Sequence, residues 1–530
     1  MAQNIIIGIG GTGAKVVEAI AHCLSAGLGP DSARIGFVDQ DKSNGNVARA
    51  IETVETIQKA RQNWRATAGN HKLEEGDLLR CELTSLDPPL WTPYQRERTS
   101  LFQALGILKS DRAAFDLLFM PDQTEQGLEL DIGFQAKAHV GSAAIASAVE
   151  TDTGAFWKRI KEEISGANSG TTVNIVLAGS AFGGSGAAGF PTIARLLRAS
   201  ATTAKLRIGG LLMLPYFKFS DPSLATAAKF EELVPQTRGA LRYYANLVER
   251  EARVFDQLYL VGWDRYFDLG YSEPGAGKQK NPALVPELIA ALAACRFLTD
   301  IPEQPPARTE LFVTARKSDT ALAWADMPPP GGGSANANAA YLKLAQQIRF
   351  ALAWKHWHPF LLKSGQVWKR RFAGFGWYRR HRLGELDREG TEIRDSVNAM
   401  SGFVDSLLRW AATIETYWSR QEGTNRAGDS DPAQDGFDLW KLADSALVNV
   451  DVARPTDPVT LKGAIDEQSF GRLFANAITA RSDSDQLTGA DWMIERLHRG
   501  SSSDRSKGLG GIVSAMHQLS AVRAASGVGE

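Results

Sequence analysis

Short apolar runs alternate with segments of helical periodicity from residue 4 to about residue 301. The runs are NIIIGIG, RIGFVDQD, TTVNIVLAGS, LRIGGLLMLPYF and DQLYLVGWD. Apolar runs of this length, separated by helices, predict a mostly parallel sheet with helices on both faces. We therefore expect residues 1–305 to form an α/β domain.

The pattern changes after that domain. The segment TELFVTARKSDTALAWADMP predicts two strands around a short polar turn, and the Pro/Gly-rich stretch PPPGGGSANANA follows it. Residues 306–340 are therefore predicted to be a β segment and linker. Helical periodicity then returns in AYLKLAQQIRFALAWKHWHPFLL and NAMSGFVDSLLRWAATIETYWSR, which predicts a mainly α-helical C-terminal domain over residues 341–530.

Composition narrows the class of protein. With 530 residues, 44% of them hydrophobic, and a formal net charge of -1, the chain has the composition of a soluble protein and not that of a dedicated nucleic-acid binder. The three cysteines are widely spaced and form no disulfide or zinc pattern. No apolar run approaches the length of a membrane span, and the first strand leaves no room for a signal peptide. We expect a cytoplasmic protein without a membrane span.

A glycine-rich loop joins the first predicted strand to the first predicted helix. Gly8, Gly10 and Gly13 spell G-x-G-x-x-G in IIIGIGGTGAKVV, a pattern that lets backbone N–H groups approach a phosphate at a helix N-terminus. This pattern is the dinucleotide fingerprint of Rossmann enzymes, so it is compatible with an NAD-dependent oxidoreductase. A tight turn without a ligand is the other interpretation.

A second loop of the same character follows the strand TTVNIVLAGS. It reads AFGGSGAAGFP and again leads into a helical segment. A dinucleotide-binding domain uses one such loop for its pyrophosphate, so two loops favour a longer phosphate chain. The second loop therefore counts against the dehydrogenase.

These motifs resemble the nucleotide loops of the tubulin/FtsZ family, in particular its divergent bacterial tubulin-like branch. GGSGAAGFP is similar to the signature loop, which usually reads G-G-T-G-S/T-G, and IGIGGTGAKVV is similar to the first phosphate loop. FVDQD, GFQAKAHVGSAA and LLMLPYFKFSD occur in the family's order. The resemblance implies a Rossmann-like tubulin/FtsZ-type GTPase domain that binds GTP, or GDP after turnover, together with Mg²⁺.

The resemblance also implies which residues contact the nucleotide. The first loop would hold the α- and β-phosphates, the second loop the outer phosphates, and the third loop would add one contact. These residues are Gly10, Gly11, Thr12 and Gly13 in the first loop, Gly183, Gly184, Ser185 and Gly186 in the second, and Ala136 in the third.

Two acidic residues follow the second predicted strand. Asp39 and Asp41 are two positions apart, so they project to the same side and could hold Mg²⁺ through water. In a dehydrogenase Asp39 would bind a ribose hydroxyl instead. Solvated carboxylates at a strand end are the remaining interpretation.

Two further residues are candidates for contact with the base. Asp264 ends the run YLVGWD near the family's guanine contact, and a carboxylate suits the N1–H and N2–H donors of guanine. Asn281 opens the helical segment NPALVPELIAALAACRFL, where it could cap the helix or contact the base.

The chain departs from the polymerising members of the family, in which a long central helix precedes an acidic loop. Only RYFDLGYSEPGAGKQK separates Asp264 from the helix at residue 281, and Pro302, Pro305 and Pro306 prevent another helix. We therefore expect a nucleotide-dependent assembly or switch component whose GTPase activity is slow or stimulated by a partner. The alternative is a self-assembling, filament-forming cytomotive GTPase with Glu287 as the catalytic acid that reaches the next subunit.

A basic and aromatic stretch, WKRRFAGFGWYRRHR, occupies residues 368–382 of the predicted C-terminal domain. Arginine and aromatic residues together suit a protein interface, an acidic surface or single-stranded nucleic acid, and they also suit a solvated basic face over packed aromatic rings. We expect a protein partner to bind through this domain.

Overall fold

The computed structural model describes most of the chain up to residue 314 and three long helices beyond it. The described residues are 2–68, 78–94, 99–106, 111–120, 125–130, 134, 137–152, 154–168, 170–200, 205–219, 230–250, 253–263, 266–270, 280–314, 327–329, 339–361, 391–423 and 508–520.

Seven strands form one sheet in the order β3-β2-β1-β4-β5-β7-β9, and every pairing from β2 to β9 is parallel. The strands of the sheet are β1 (Gln3–Ile9), β2 (Ser32–Val38), β3 (Glu82–Trp91), β4 (Val173–Ser180), β5 (Leu206–Met213), β7 (Gln257–Val261) and β9 (Glu310–Thr314). A separate parallel pair joins β6 (Phe217–Lys218) to β8 (Phe267–Asp268). The five apolar runs of the sequence thus form five of the sheet strands, and the predicted mostly parallel α/β fold is confirmed.

The helices of this region mostly lie between the strands along the chain. They are α1 (Gly10–Ser25), α2 (Gly45–Ala68), α3 (Leu101–Ala104), α4 (Arg112–Leu118), α5 (Ala138–Thr151), α6 (Ala155–Asn168), α7 (Ser185–Ala199), α8 (Phe230–Arg250) and α9 (Val285–Thr299).

Both faces of the central strands are covered, since every residue of β4 and β5 is buried. A Cβ atom added to Gly209 would lie 2.9 Å from Phe297 of α9, whereas one added to Gly210 would lie 2.9 Å from Phe190 of α7. Consecutive strand residues point to opposite faces, so α7 and α9 cover opposite sides of the sheet. Such double burial explains why these strands are continuous apolar runs.

The strand order reverses direction at the centre of the sheet. The chain runs from β1 to β2 on one side, and from β4 to β5 on the other, while β1 and β4 are neighbours. In open α/β sheets, ligands bind beside the carboxyl ends of the strands at this kind of reversal. The fold therefore points to the ends of β1 and β4 as the place for a site.

Strand β3 was not predicted from the sequence. It contains Pro88 and Pro89, which argue against a strand because proline lacks the N–H donor of the ladder. The strand lies at one edge of the sheet, where one row of N–H groups needs no partner strand. The edge position is what permits the two prolines.

The predicted β segment after residue 305 is described only in part. Its first strand is β9, which pairs with β7 and extends the sheet. The second predicted strand lies outside the described residues. Beyond it the structure describes α10 (Ala339–Leu361), α11 (Thr391–Gly423) and α12 (Gly508–Leu519). The mainly helical C-terminal domain stays a prediction for the rest of residues 341–530.

The chain divides into two compact units. The first comprises residues 1–20, 32–54 and 83–320, and the second comprises residues 21–31, 55–82 and 321–530. The second unit thus includes two early segments that the sequence predicts to belong to the first domain. Among the helices that the structure describes, none is long and apolar enough to cross a bilayer.

Inside the second unit, α10 packs on α11 and α12. Gln347 of α10 donates a hydrogen bond of 2.7 Å to Ser25 Oγ, and Trp64 Nε1 donates one of 3.3 Å to the carbonyl oxygen of Gly510. The rings of Phe350 and His517 meet edge to face at 5.8 Å. The early segments are therefore packed and hydrogen-bonded within this unit.

Candidate functional site

The two glycine-rich loops lie against each other at the carboxyl ends of β1 and β4. Helix α1 begins at Gly10, whose φ is +72°, and α7 begins directly after Gly183 and Gly184. A Cβ atom added to Gly10 would lie 2.9 Å from the backbone nitrogen of Gly186. The structure therefore brings together the two loops that are far apart in the sequence.

Some glycines of the loops are required by packing alone. A Cβ atom on Gly13 would lie 2.3 Å from the carbonyl oxygen of Ala178, and one on Gly186 would lie 2.7 Å from Ser180 Oγ. Both residues are buried, and they let the first turns of α1 and α7 approach the ends of the strands. For these two positions, close helix–strand packing explains the glycine without a ligand.

Other residues of the loops remain partly open to solvent. These are Gly11, Thr12, Gly183, Gly184 and Ser185. Gly183 adopts a φ of +87°, a left-handed conformation that favours glycine. Two adjoining helix N-termini with accessible backbone can bind a chain of phosphates, because each presents N–H donors and a partial positive charge.

Asp39 connects the acidic loop to the second glycine loop. Its Oδ1 accepts a hydrogen bond of 2.8 Å from Ser185 Oγ and one of 3.3 Å from the N–H of Asp41, and its Oδ2 accepts one of 3.1 Å from Asn44 Nδ2. The side chain is buried, and burial raises the pKa of Asp39 to about 6, although the Ser185 hydrogen bond opposes that shift. The carboxyl group therefore lies beside the second glycine loop.

Asp41 lies nearer the surface. Its Oδ1 accepts hydrogen bonds from the N–H and hydroxyl groups of Ser43, at 2.9 and 2.7 Å. The part of the chain that the structure describes contains no group of three or more acidic, histidine or cysteine side chains that could hold a metal ion. A Mg²⁺ ion at this place would therefore depend on Asp39, Asp41, water and the ligand's own oxygens, and the metal site stays a prediction.

Sequence reasoning missed two asparagines beside the first loop. A Cβ atom on Gly11 would lie 2.9 Å from Asn44 Nδ2 and 3.2 Å from Asn46 Nδ2. Asn44 Oδ1 accepts a hydrogen bond of 2.9 Å from the N–H of Asn46, so its side chain caps the start of α2. The stretch DKSNGN directly before a helical pattern was the available signal.

Asn281 reaches the same neighbourhood through its backbone. Its N–H donates a hydrogen bond of 2.8 Å to Asn46 Oδ1, and its carbonyl oxygen accepts a hydrogen bond of 2.8 Å from the Arg49 guanidinium. The expectation that Asn281 caps the helix is wrong, because α9 begins at Val285 and residue 281 precedes it by four positions. The base contact of Asn281 stays a prediction.

Glu287 is engaged within its own chain. It is 0% exposed, pairs with Lys15 of α1, and accepts hydrogen bonds from Tyr216 (2.6 Å) and from the N–H of Leu284 (2.8 Å). These contacts give Glu287 a structural role at the start of α9. Its predicted role as a catalytic acid that reaches another subunit gains no support from them.

Lys15 is buried with Glu287. Burial lowers the pKa of Lys15, and the neighbouring Glu287 carboxylate opposes that change. Because its ammonium group is held by Glu287 below the loop, Lys15 is placed to fix α1 to α9. Burial, followed by the charge of Glu287, raises the pKa of Tyr216 well above its usual value. Tyr216 therefore stays protonated and donates to the carboxylate.

Three predicted features lie outside the described residues. They are Ala136, Asp264 and the basic aromatic stretch at 368–382.

Comparison with known proteins yields no assignment: no protein-family model matches the chain, and no match to a curated protein is found.

Proposed function

We propose that this chain binds GTP or GDP with Mg²⁺ and acts as a nucleotide-dependent assembly or switch component. The observation that carries the proposal is the contact between the two glycine loops, where Gly10 and Gly186 approach so closely that no side chain fits between them. Two helix N-termini meeting at a strand-order reversal suit a polyphosphate better than a single phosphate.

Further residues support the choice of guanine as the base and of Mg²⁺ as the metal ion. The resemblance to the tubulin/FtsZ family supports guanine, and so does Asp264, which closes the sequence run YLVGWD, since a carboxylate pairs with two adjacent N–H donors. The position of Asp39, hydrogen-bonded to Ser185 of the second loop, supports a Mg²⁺ ion beside the outer phosphates.

A switch is favoured over a filament-forming GTPase by the burial of Glu287. A catalytic acid that completes a neighbour's site has to reach the surface, whereas Glu287 is enclosed by Lys15 and Tyr216. We propose slow hydrolysis that a protein partner stimulates, with the partner bound by the C-terminal domain.

Calorimetric titration with GTP, GDP, ATP and NAD in the presence of Mg²⁺ tests the nucleotide. We expect GTP and GDP to bind tightly and NAD not to bind. Gly10→Ala should abolish binding, because its Cβ would intrude on Gly186 and its φ of +72° is strained for alanine. Gly166→Ala is the matched control, since no atom lies within 4 Å of its added Cβ. Tight NAD binding without GTP binding would overturn this proposal and support an NAD-dependent oxidoreductase instead.

The switch is tested by measuring GTP turnover against protein concentration, with negative-stain microscopy of the same samples. We expect low turnover per molecule and no filaments. If turnover per molecule rises steeply with protein concentration and filaments form, the switch proposal is wrong and the self-assembling GTPase is supported instead.

A further inference from the structure

A groove runs along α7 between α5 and α8, on the face of the sheet opposite α9. It has a volume of about 620 Å³, within the range of small-molecule sites. One end reaches Gly183, and Arg195 of α7 lines it farther along the helix. Arg195 lies ten positions after Ser185 on the helix, roughly 15 Å away. The groove therefore extends well away from the phosphate loops.

The charged side chains that line the groove, Lys137 and Arg195, are both positive. Lys137, His139 and Arg195 line it, and none of the lining residues that the structure describes is acidic. Residues 137–139 also form the start of α5, a helix of 14 residues whose N-terminus adds a partial positive charge. Glu125 is not among the lining residues, but its Oε1 lies 3.1 Å from His139 Nε2. The groove thus favours an anion.

Helix α8 supplies an aromatic wall. The Arg195 guanidinium lies over the ring of Tyr243, with its carbon 5.3 Å from the ring centroid. The ring of Tyr244 packs edge to face on Phe190, with the two ring centroids 6.1 Å apart. Tyr244 is 4% exposed, and its hydroxyl finds no hydrogen-bond partner among the described residues. An unpaired buried hydroxyl is costly, and a small shift toward a ligand in the groove would satisfy it.

We propose that this groove is a second ligand site, which binds a small phosphate monoester carrying a planar ring. The phosphate group lies between the start of α5 and the side chains of Lys137 and Arg195. The ring packs against Tyr243 and Tyr244. This site does not depend on the proposed nucleotide function, although the two sites share Gly183.

The test is a titration of the full chain with 1-naphthyl phosphate, with neutral 1-naphthol as the control ligand. We expect one molecule of the phosphate to bind and naphthol to bind at least about tenfold more weakly, because a charge-assisted hydrogen bond contributes about that factor. Absence of naphthyl phosphate binding at millimolar concentration, or equal binding of both compounds, overturns the proposal.

Variants locate the bound molecule. Arg195→Gln and Lys137→Gln should each weaken naphthyl phosphate about tenfold. Lys158→Gln removes an exposed lysine of α6 outside the groove and should leave the affinity unchanged. Affinity unchanged in both groove variants would mean that the phosphate binds elsewhere, the glycine loops included, and would overturn the site. GTP binding measured on the same variants reports separately on the proposed function.

Discussion

Ser185 Oγ donates a hydrogen bond of 2.8 Å to Asp39 Oδ1 and so links the second glycine loop to the loop after β2. The two residues are 146 positions apart in the chain. Each follows a different strand of the same parallel sheet, which places both at its carboxyl edge. The acidic loop and the second glycine loop are therefore directly connected.

Asp39 should make stability depend on pH. Its pKa is about 6 in the folded protein and near 3.8 in an unfolded chain, so the folded state holds more protons between these values. The free energy of unfolding should therefore fall as pH rises from about 4 to about 6, by an amount on the order of 3 kcal/mol. Denaturant unfolding across this range measures the slope.

Asp39→Asn is the matched variant, because it keeps the shape and removes the titration. Above pH 7 it should be more stable than the parent chain, and its pH slope between 4 and 6 should be smaller. An unchanged slope would show that Asp39 does not titrate in this range.

Glu287→Gln should destabilise the protein by about 3 kcal/mol, since it leaves the Lys15 ammonium buried without its counter-charge. The double variant Lys15→Met with Glu287→Gln removes both charges and should recover much of the loss. Chemical denaturation of the parent, the two single variants and the double variant measures the coupling. Additive losses would show that the two side chains do not interact.

Gly13→Ala should unfold the protein or cost more than about 3 kcal/mol, because its Cβ would lie 2.3 Å from a backbone carbonyl oxygen that cannot move independently of β4. Gly166→Ala, on open helix surface, should instead be neutral or stabilise by about 0.5 kcal/mol. Thermal unfolding of both variants checks the contrast, and equal melting temperatures would contradict the packing of α1 on β4.

His517 should give the second compact unit the opposite pH dependence. Burial, together with the charge of Lys343, lowers the pKa of His517 to about 3, compared with 6.5 in an unfolded chain. The unfolded state then holds more protons between these values, so stability should decrease as pH falls from 6.5 toward 3, on the order of 5 kcal/mol. His517→Gln should lessen this acid sensitivity, measured by tryptophan fluorescence during urea unfolding.

Much of the sheet and the position of its loops could be predicted because burial on both faces makes β4 and β5 continuous apolar runs. The glycine loops could be recognised because left-handed conformations at Gly10 and Gly183 favour glycine. Strand β3 was missed because two prolines are tolerated only at an edge, and strand order is not visible in the sequence.

The neighbours of the site were harder to predict. The pairing of Lys15 with Glu287 joins two helices that are distant in the sequence. No local sequence pattern around either residue indicates that its charged side chain is buried. The same holds for Asn46, which accepts a hydrogen bond from residue 281. Such contacts depend on tertiary packing, which the periodicity of single elements does not encode.

The meeting of α1 and α7 at their N-termini also bears on how long the protein survives in a cell. Two partial positive charges of about half a unit each lie close together there, and a bound anion would offset their repulsion. A polyanion present at a thousand times its dissociation constant would add about 4 kcal/mol to the stability of the folded state. Proteases act on transiently opened chains, so the supply of such an anion would raise the abundance of this protein.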